Sequence, residues 1–133
     1  MNHITYIFDI DHTLTAQSFE DEREITTLKP NEPILRIAQS MSKTQGFAIV
    51  TARPEYLRAG TLEWLNTHNL GPDLLLFRDN TDVRPDFMVR VDQVKRVMRE
   101  FGNNVILFDD RPDNCKEVGK LGVPCVHVIS RHS

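Results

Sequence analysis

The sequence predicts an α/β fold, a three-layer sandwich in which a five-stranded parallel sheet is covered on both faces by helices. Two observations carry that prediction. Short apolar runs at Tyr6-Ile7-Phe8, Phe47-Ala48-Ile49-Val50, Leu74-Leu75-Leu76-Phe77, Val105-Ile106-Leu107-Phe108 and Cys125-Val126-His127-Val128-Ile129 alternate with longer segments of helical period. The turns between them are short, and alternating strands and helices joined this way close as right-handed crossovers, which makes the sheet parallel.

The chain has 133 residues, enough for one compact domain over residues 1–133, and 40% of them are apolar and can build its core. The formal charge of -3 excludes a surface that coats nucleic acid broadly, although a local basic patch can still hold a strand end. No apolar stretch is long enough to cross a bilayer. Met1-Asn2-His3-Ile4 lacks a basic segment followed by an apolar one, so a cytoplasmic location is expected. Cys115 and Cys125 lack metal-type spacing and read as small buried apolar residues.

Strand one ends in Asp9 and Asp11, separated by one residue, where the chain leaves the sheet. Ligands of open α/β sheets bind at that edge, which makes both acids candidates for chemistry. Residues 16–29, with the charge run Glu20-Asp21-Glu22-Arg23-Glu24, carry no sustained apolar period and read as a loop or small hairpin outside the core. Asn31 and Pro33 open a helix whose buried face is Ile34, Leu35, Ile37, Ala38 and Met41, with Gly46 as its stop.

Strand two ends in Thr51-Ala52-Arg53, and Pro54 is read as the start of a helix to about residue 69, with Leu57, Thr61, Trp64, Leu65 and His68 on one face. A hydroxyl and a guanidinium at a helix amino terminus suit an anion. Strand three leads through the charged connection Arg78-Asp79-Asn80-Thr81-Asp82-Val83-Arg84-Pro85 into a helix over residues 86–101, closed by Gly102. On it Asp86 and Arg90 are four apart and face one way, whereas Lys95 points elsewhere. Strand four repeats the first by ending in acids, Asp109 and Asp110, before Arg111-Pro112-Asp113-Asn114 opens the next helix. His127, between apolar neighbours of strand five, reads as structural, and the tail Ser130-Arg131-His132-Ser133 as loose.

If these strand ends are neighbours, the carboxylates converge, and like charges so placed need a cation. Oxygen ligands without clustered Cys or His favour Mg²⁺ over zinc.

The ordered set Asp9-x-Asp11-x-Thr13, Thr51, Arg90 and Asp109-Asp110-x-x-x-Asn114 resembles the four motifs of the haloacid-dehalogenase-like phosphohydrolases. More narrowly, Thr51-Ala52-Arg53, the run from Asp82 to Asp86 followed by Arg90, and Phe108-Asp109-Asp110-Arg111 resemble the 3′-phosphatase domain of bacteriophage polynucleotide kinase/phosphatase. The resemblance implies a Rossmann-like sandwich with strand order 5-4-1-2-3, and the connections from Ile10 to Lys29 and from Arg78 to Pro85 are too short to hold a cap domain. It also implies Asp9 as nucleophile, Asp11 as general acid and base, and Thr51 and Arg90 as holders of the phosphoryl oxygens. Asp9, Asp109, Asp110 and the backbone carbonyl of Asp11 would hold Mg²⁺. Arg53, Arg84, Arg78 and Thr13 are expected to contact substrate, and Asp86 and Asn114 to orient their neighbours.

His12 departs from the glycine common in the first motif, and Arg90 from the usual lysine, with Lys95 as the alternative for that role. In the following loop Glu20 stands where the polynucleotide phosphatase has an arginine, and Arg23 is the loop's own candidate. No Gly-rich phosphate loop is present, so 5′-phosphorylation is not predicted.

The function expected from the resemblance is a Mg²⁺-dependent phosphomonoesterase that removes 3′-phosphate from DNA or RNA ends, with a separate kinase or ligase as partner. The alternatives are a small-molecule phosphatase such as a nucleotidase and, from another class, a non-catalytic receiver-like phosphate-binding module. Asp11 distinguishes the last, because a receiver has no need of a second carboxylate placed for acid-base work.

Overall fold

The computed structural model describes residues 3–129, so the loose tail expected over residues 130–133 lies outside the described residues. Five strands form one parallel sheet: β1 (Thr5–Phe8), β2 (Gly46–Pro54), β3 (Leu74–Arg78), β4 (Val105–Asp109) and β5 (Cys125–His127). Their order, β3-β2-β1-β4-β5, is the expected one read from the opposite edge. The helices are α1 (Glu32–Thr44), α2 (Arg58–Thr67), α3 (Asp86–Phe101) and α4 (Pro112–Gly119).

Successive strand residues point to opposite faces, and each face buries its own core. On one face Phe8, Phe47, Ile49 and Phe108 pack with Leu35 and Ala38 of α1 and with Trp64 and Leu65 of α2. On the other, Ile7, Ala48, Val50 and Leu107 pack with Val94 and Val97 of α3 and Val118 of α4. Burying each large apolar side chain stabilises by roughly 1.5–3 kcal/mol. The Phe8 and Phe108 rings stack 4.4 Å apart between centroids and tie together the two strands that carry the acids. No helix among the described residues is long and apolar enough to cross a membrane.

Residues 16–29 are more than an external loop. Its base is the hairpin-like part, with a Thr15–Pro30 bridge and the Ala16 N–H donating to the Lys29 carbonyl at 2.8 Å. Beyond it a 3₁₀ segment, Glu22–Thr27, buries Ile25, and Leu28 follows it into the core. Trp64 Nε1–H donates to the Leu28 carbonyl at 2.8 Å, so an indole of α2 holds the segment down. Two apolar residues three apart match the 3₁₀ period, but so short a run shows no periodicity in sequence.

Four local expectations are corrected. In α1, Leu35 and Ala38 are buried, but Ile37 is 39% exposed. Gly46 is not the helix stop; it begins β2, where a Cβ would meet Thr5 Oγ1 at 2.7 Å. β2 continues through Thr51 and Arg53 to Pro54, and a 3₁₀ turn at Glu55–Leu57 precedes α2, so these residues end a strand and do not cap a helix. β5 stops at His127, whose exposed ring lies 3.0 Å from the Asp110 carbonyl through Nε2 rather than in a core. By contrast α3 spans the expected residues and ends at Gly102, whose φ of 98° suits a glycine.

Candidate active site

β1 and β4 run side by side with Phe8 opposite Phe108, so Asp9 and Asp109 leave the sheet together at its carboxyl edge. The pairing extends one step further, through the Asp9 N–H donating to the Phe108 carbonyl at 3.0 Å. After Asp9 the chain makes a wide turn, Ile10–Leu14, anchored by the buried side chains of Ile10 and Leu14 and closed by Thr15 N–H to the Ile10 carbonyl at 3.0 Å. Thr13 is fully buried under this turn. Its hydroxyl lies 3.3 Å from Asp9 Oδ2 and 3.4 Å from Asp110 Oδ1, between the two acids. Asp9, Asp109 and Asp110 each offer an oxygen within 4.8 Å of the others.

Two buried arginines hold the acids from opposite sides. Arg90 of α3 donates through Nη2 to Asp9 Oδ1 at 2.9 Å and through Nη1 to Asp109 Oδ2. Gln93, one turn along the helix, accepts from Arg90 Nε at 3.0 Å and donates to the Thr51 carbonyl at 2.8 Å. Lys95 is exposed, so Arg90 is the cation that meets the carboxylates. Arg53, at the end of β2, grips Asp11 with Nε at 3.0 Å and Nη2 at 2.7 Å. Its Nη1 donates to Thr61 Oγ1 at 2.9 Å, and the guanidinium lies over the Phe19 ring.

The charge balance of the cluster is acidic. Burial pushes the Asp9 carboxyl up to about 7, against the pull of Arg90 and with Asp110 and Asp11 adding to the rise. Burial and then the charge of Asp9 push Asp109 up to about 6, although Arg90, the Arg111 N–H and Asn114 all favour its ionised form. Burial raises Asp110 as well. Burial would lower the Arg90 guanidinium, but Asp9 and Asp109 together hold it above its ordinary value.

A pocket of about 300 Å³ opens over these groups. It brings together Asp9, Asp11, Asp86, Arg90, Asp110 and Asn114. Asn114 is buried, and its Nδ2 reaches both Asp109 oxygens, at 3.3 and 3.2 Å. Asp86 faces the pocket and pairs with Arg78 and, at 3.4 Å, with Arg111.

Thr51 lies just outside that lining: it is buried, and its Oγ1 accepts the Arg53 backbone N–H at 3.1 Å. Arg78 and Arg84 are not part of the pocket. Arg78 is spent on the carbonyls of Ala52, Asp82 and Arg84 and on Asp86. Arg84 pairs with Asp82 and Asp92, each at 2.8 Å, in a separate hollow beside β3. Arg23 pairs with Asp21 at 2.6 Å and lines another hollow with Tyr56 and Gly60.

Three further polar residues line the pocket, His12, Ser18 and Arg111, and two support it from behind, Gln93 and Thr61. Strand or helix period marks none of the lining three. Gln93 carried a usable signal, since it stands three residues after Arg90 on one helix.

The donor set fits a hard divalent cation. Three carboxylates converge with one guanidinium paired to two of them, and the buried Asn114 Oδ1 has no partner among the described residues. Oxygen-only ligands of this kind match Mg²⁺. Chemically, the arrangement offers one carboxylate against a cation site and a second held at fixed orientation close by.

The chain matches the family model described as the polynucleotide kinase PNKP phosphatase domain over residues 3–131. A search of curated proteins finds no match. Among solved structures it is similar to a chain of a Pnkp1/Rnl/Hen1 complex, with 26% identity and a TM-score of 0.78, covering 96% of this chain and 46% of that one. A chain of the Pnkp1/Rnl/Hen1 RNA repair complex shares the fold at 24% identity and a TM-score of 0.78, with 96% and 43% covered. This chain thus spans less than half the length of the solved chains it matches.

Proposed function

The chain belongs to the family of polynucleotide kinase PNKP phosphatase domains, phosphatases of the haloacid-dehalogenase type, and from that premise we propose that it removes the 3′-phosphate from nucleic-acid ends. The observation that carries this reading is the convergence of Asp9, Asp109 and Asp110 beside an Asp11 clamped by Arg53.

Asp9 attacks phosphorus, the bond to the sugar oxygen breaks, and the leaving oxygen takes a proton from Asp11. Water then attacks the aspartyl-phosphate, gives its proton to Asp11, and frees Asp9 and inorganic phosphate. Thr13 and Arg90 hold Asp9 in place for attack, and Arg53 fixes Asp11. Thr51 and Arg90 are the groups assigned to the non-bridging phosphoryl oxygens. Asp9, Asp109, Asp110 and the Asp11 carbonyl would hold Mg²⁺, which supplies Lewis-acid stabilisation of the phosphoryl charge.

The nucleic-acid substrate is supported by the family match and by similar chains in Pnkp1/Rnl/Hen1 assemblies, one of them an RNA repair complex. The same likeness supports a separate kinase or ligase as partner.

The test is phosphate release from a 3′-phosphorylated oligonucleotide, a 5′-phosphorylated one and a nucleoside 3′-monophosphate, with Mg²⁺ or EDTA, beside Asp9→Asn. Metal-dependent release from the 3′ oligonucleotide, lost in Asp9→Asn, is expected. Preferential release from the mononucleotide would move the substrate to small molecules, and no release from any substrate would overturn the reading.

A further inference from the structure

His12 adopts φ 63° and ψ 8°, a left-handed conformation in the turn between Asp11 and Thr13. A glycine would hold this turn without steric cost. The imidazole nonetheless lines the pocket, and its Nδ1 is buried without a hydrogen-bond partner. Nor does Nε2 meet any partner among the described residues, and it is not a buried atom. The ring thus keeps Nε2 free for a hydrogen-bond partner that no other described residue supplies. Ser18 lines the same pocket from the same loop, exposed and without a partner for its hydroxyl among the described residues.

These two residues differ in kind from the charged groups of the pocket. Asp9, Arg90 and Asp110 suit a phosphoryl group and a cation, whereas His12 and Ser18 offer a ring nitrogen and a hydroxyl to a sugar oxygen. Hydroxyl and ether oxygens are matched by donors of this type. His12 directly follows Asp11, the group that serves the leaving oxygen in the reaction proposed above, and lines the same pocket.

Building on that reading of the site, we propose that His12 and Ser18 form a sugar-binding wall, hydrogen-bonding the oxygens of the terminal ribose or deoxyribose that carries the 3′-phosphate. The two residues select for a nucleoside leaving group and play no part in holding the transferred phosphate.

The test is made by binding, in the Asp9→Asn background, where turnover does not enter. A fluorescent 3′-phosphorylated oligonucleotide is titrated by anisotropy, and inorganic phosphate is titrated in competition. His12→Gly is expected to weaken the oligonucleotide about 10-fold and leave phosphate unchanged, with no fall in unfolding temperature because glycine accepts the turn. Ser18→Ala weakens the oligonucleotide in the same selective way, and His12→Asn, which keeps a donor and tolerates the turn, recovers part of the affinity. Oligonucleotide affinity within about twofold of the background after His12→Gly, or an equal loss for phosphate, overturns the proposal. Turnover of an aryl phosphate by the unsubstituted protein reports on the phosphatase reading separately.

Discussion

Arg53 and Asp11 meet side-on, with two hydrogen bonds of 3.0 and 2.7 Å from Nε and Nη2 of an arginine only 4% exposed to a carboxylate on the pocket wall. The third arm of Arg53 is fixed by Thr61, whose hydroxyl in turn donates a hydrogen bond to the Leu57 carbonyl at 2.8 Å. A helix-borne hydroxyl, a buried arginine and the carboxylate proposed as acid and base thus form one chain. A long side chain held at three points cannot swing, and that rigidity passes to Asp11.

Arg53→Lys keeps the charge but loses the planar fork, so Asp11 is left free to rotate. We expect kcat to fall about 10–100-fold with KM little changed, because positioning of a reacting group is what is lost. A fall in KM-limited binding alone, with kcat intact, would show that Arg53 contacts substrate instead.

Thr61→Val removes one neutral hydrogen bond from a buried site and leaves the Nη1 donor unpaired. It should cost about 1–3 kcal/mol in urea unfolding. If Thr61 acts only through Arg53, its effect on kcat vanishes in the Arg53→Lys background, as a double-mutant cycle will read directly.

Much of this site is visible in the sequence because it depends on strand ends. Asp9 and Asp109 follow apolar runs, and parallel pairing of β1 with β4 is enough to place them together. Arg90 and Asp86 follow from a four-residue helical spacing. The partners of the arginines are a different matter. Arg53 lies at a strand end and not at a helix start because β2 runs on to Pro54 through a register shift, which no local pattern announces. Arg84 is drawn to Asp82 and Asp92, and Arg78 to carbonyls of its own loop, choices made by how that loop folds back on α3. Thr61 and Gln93 matter through contacts made across the fold.

Gln93→Leu tests the support behind Arg90. It takes the acceptor from Arg90 Nε and the donor from the Thr51 carbonyl while keeping side-chain bulk. Two buried polar groups lose their partner, so a loss of about 1–3 kcal/mol in stability is expected. Activity should fall as well, since Arg90 then lacks one of its three fixed points. Unchanged thermal unfolding would show that water replaces the amide.

The acids themselves make stability depend on pH and on metal. Asp9 rises from an ordinary 3.8 to about 7 on burial, and Asp109 to about 6. Between about pH 4 and 7 the folded protein therefore holds protons that the unfolded chain has released, and unfolding free energy falls as pH rises through that window. Above it the contribution is fully lost. For metal-free protein, the unfolding temperature should drop from about pH 5 to pH 8, and Asp9→Asn should flatten part of that slope. The Mg²⁺ proposed for this site would bind the ionised carboxylates and compete with those protons, so its stabilisation should be larger at about pH 8 than at pH 5. At 100 times the dissociation constant it amounts to about 2.7 kcal/mol, and EDTA should reverse it. The measurement is thermal unfolding with and without Mg²⁺ at both pH values, in the intact protein and in Asp9→Asn. A metal-induced shift that is the same at both pH values, or that survives in Asp9→Asn undiminished, would place the cation away from these carboxylates.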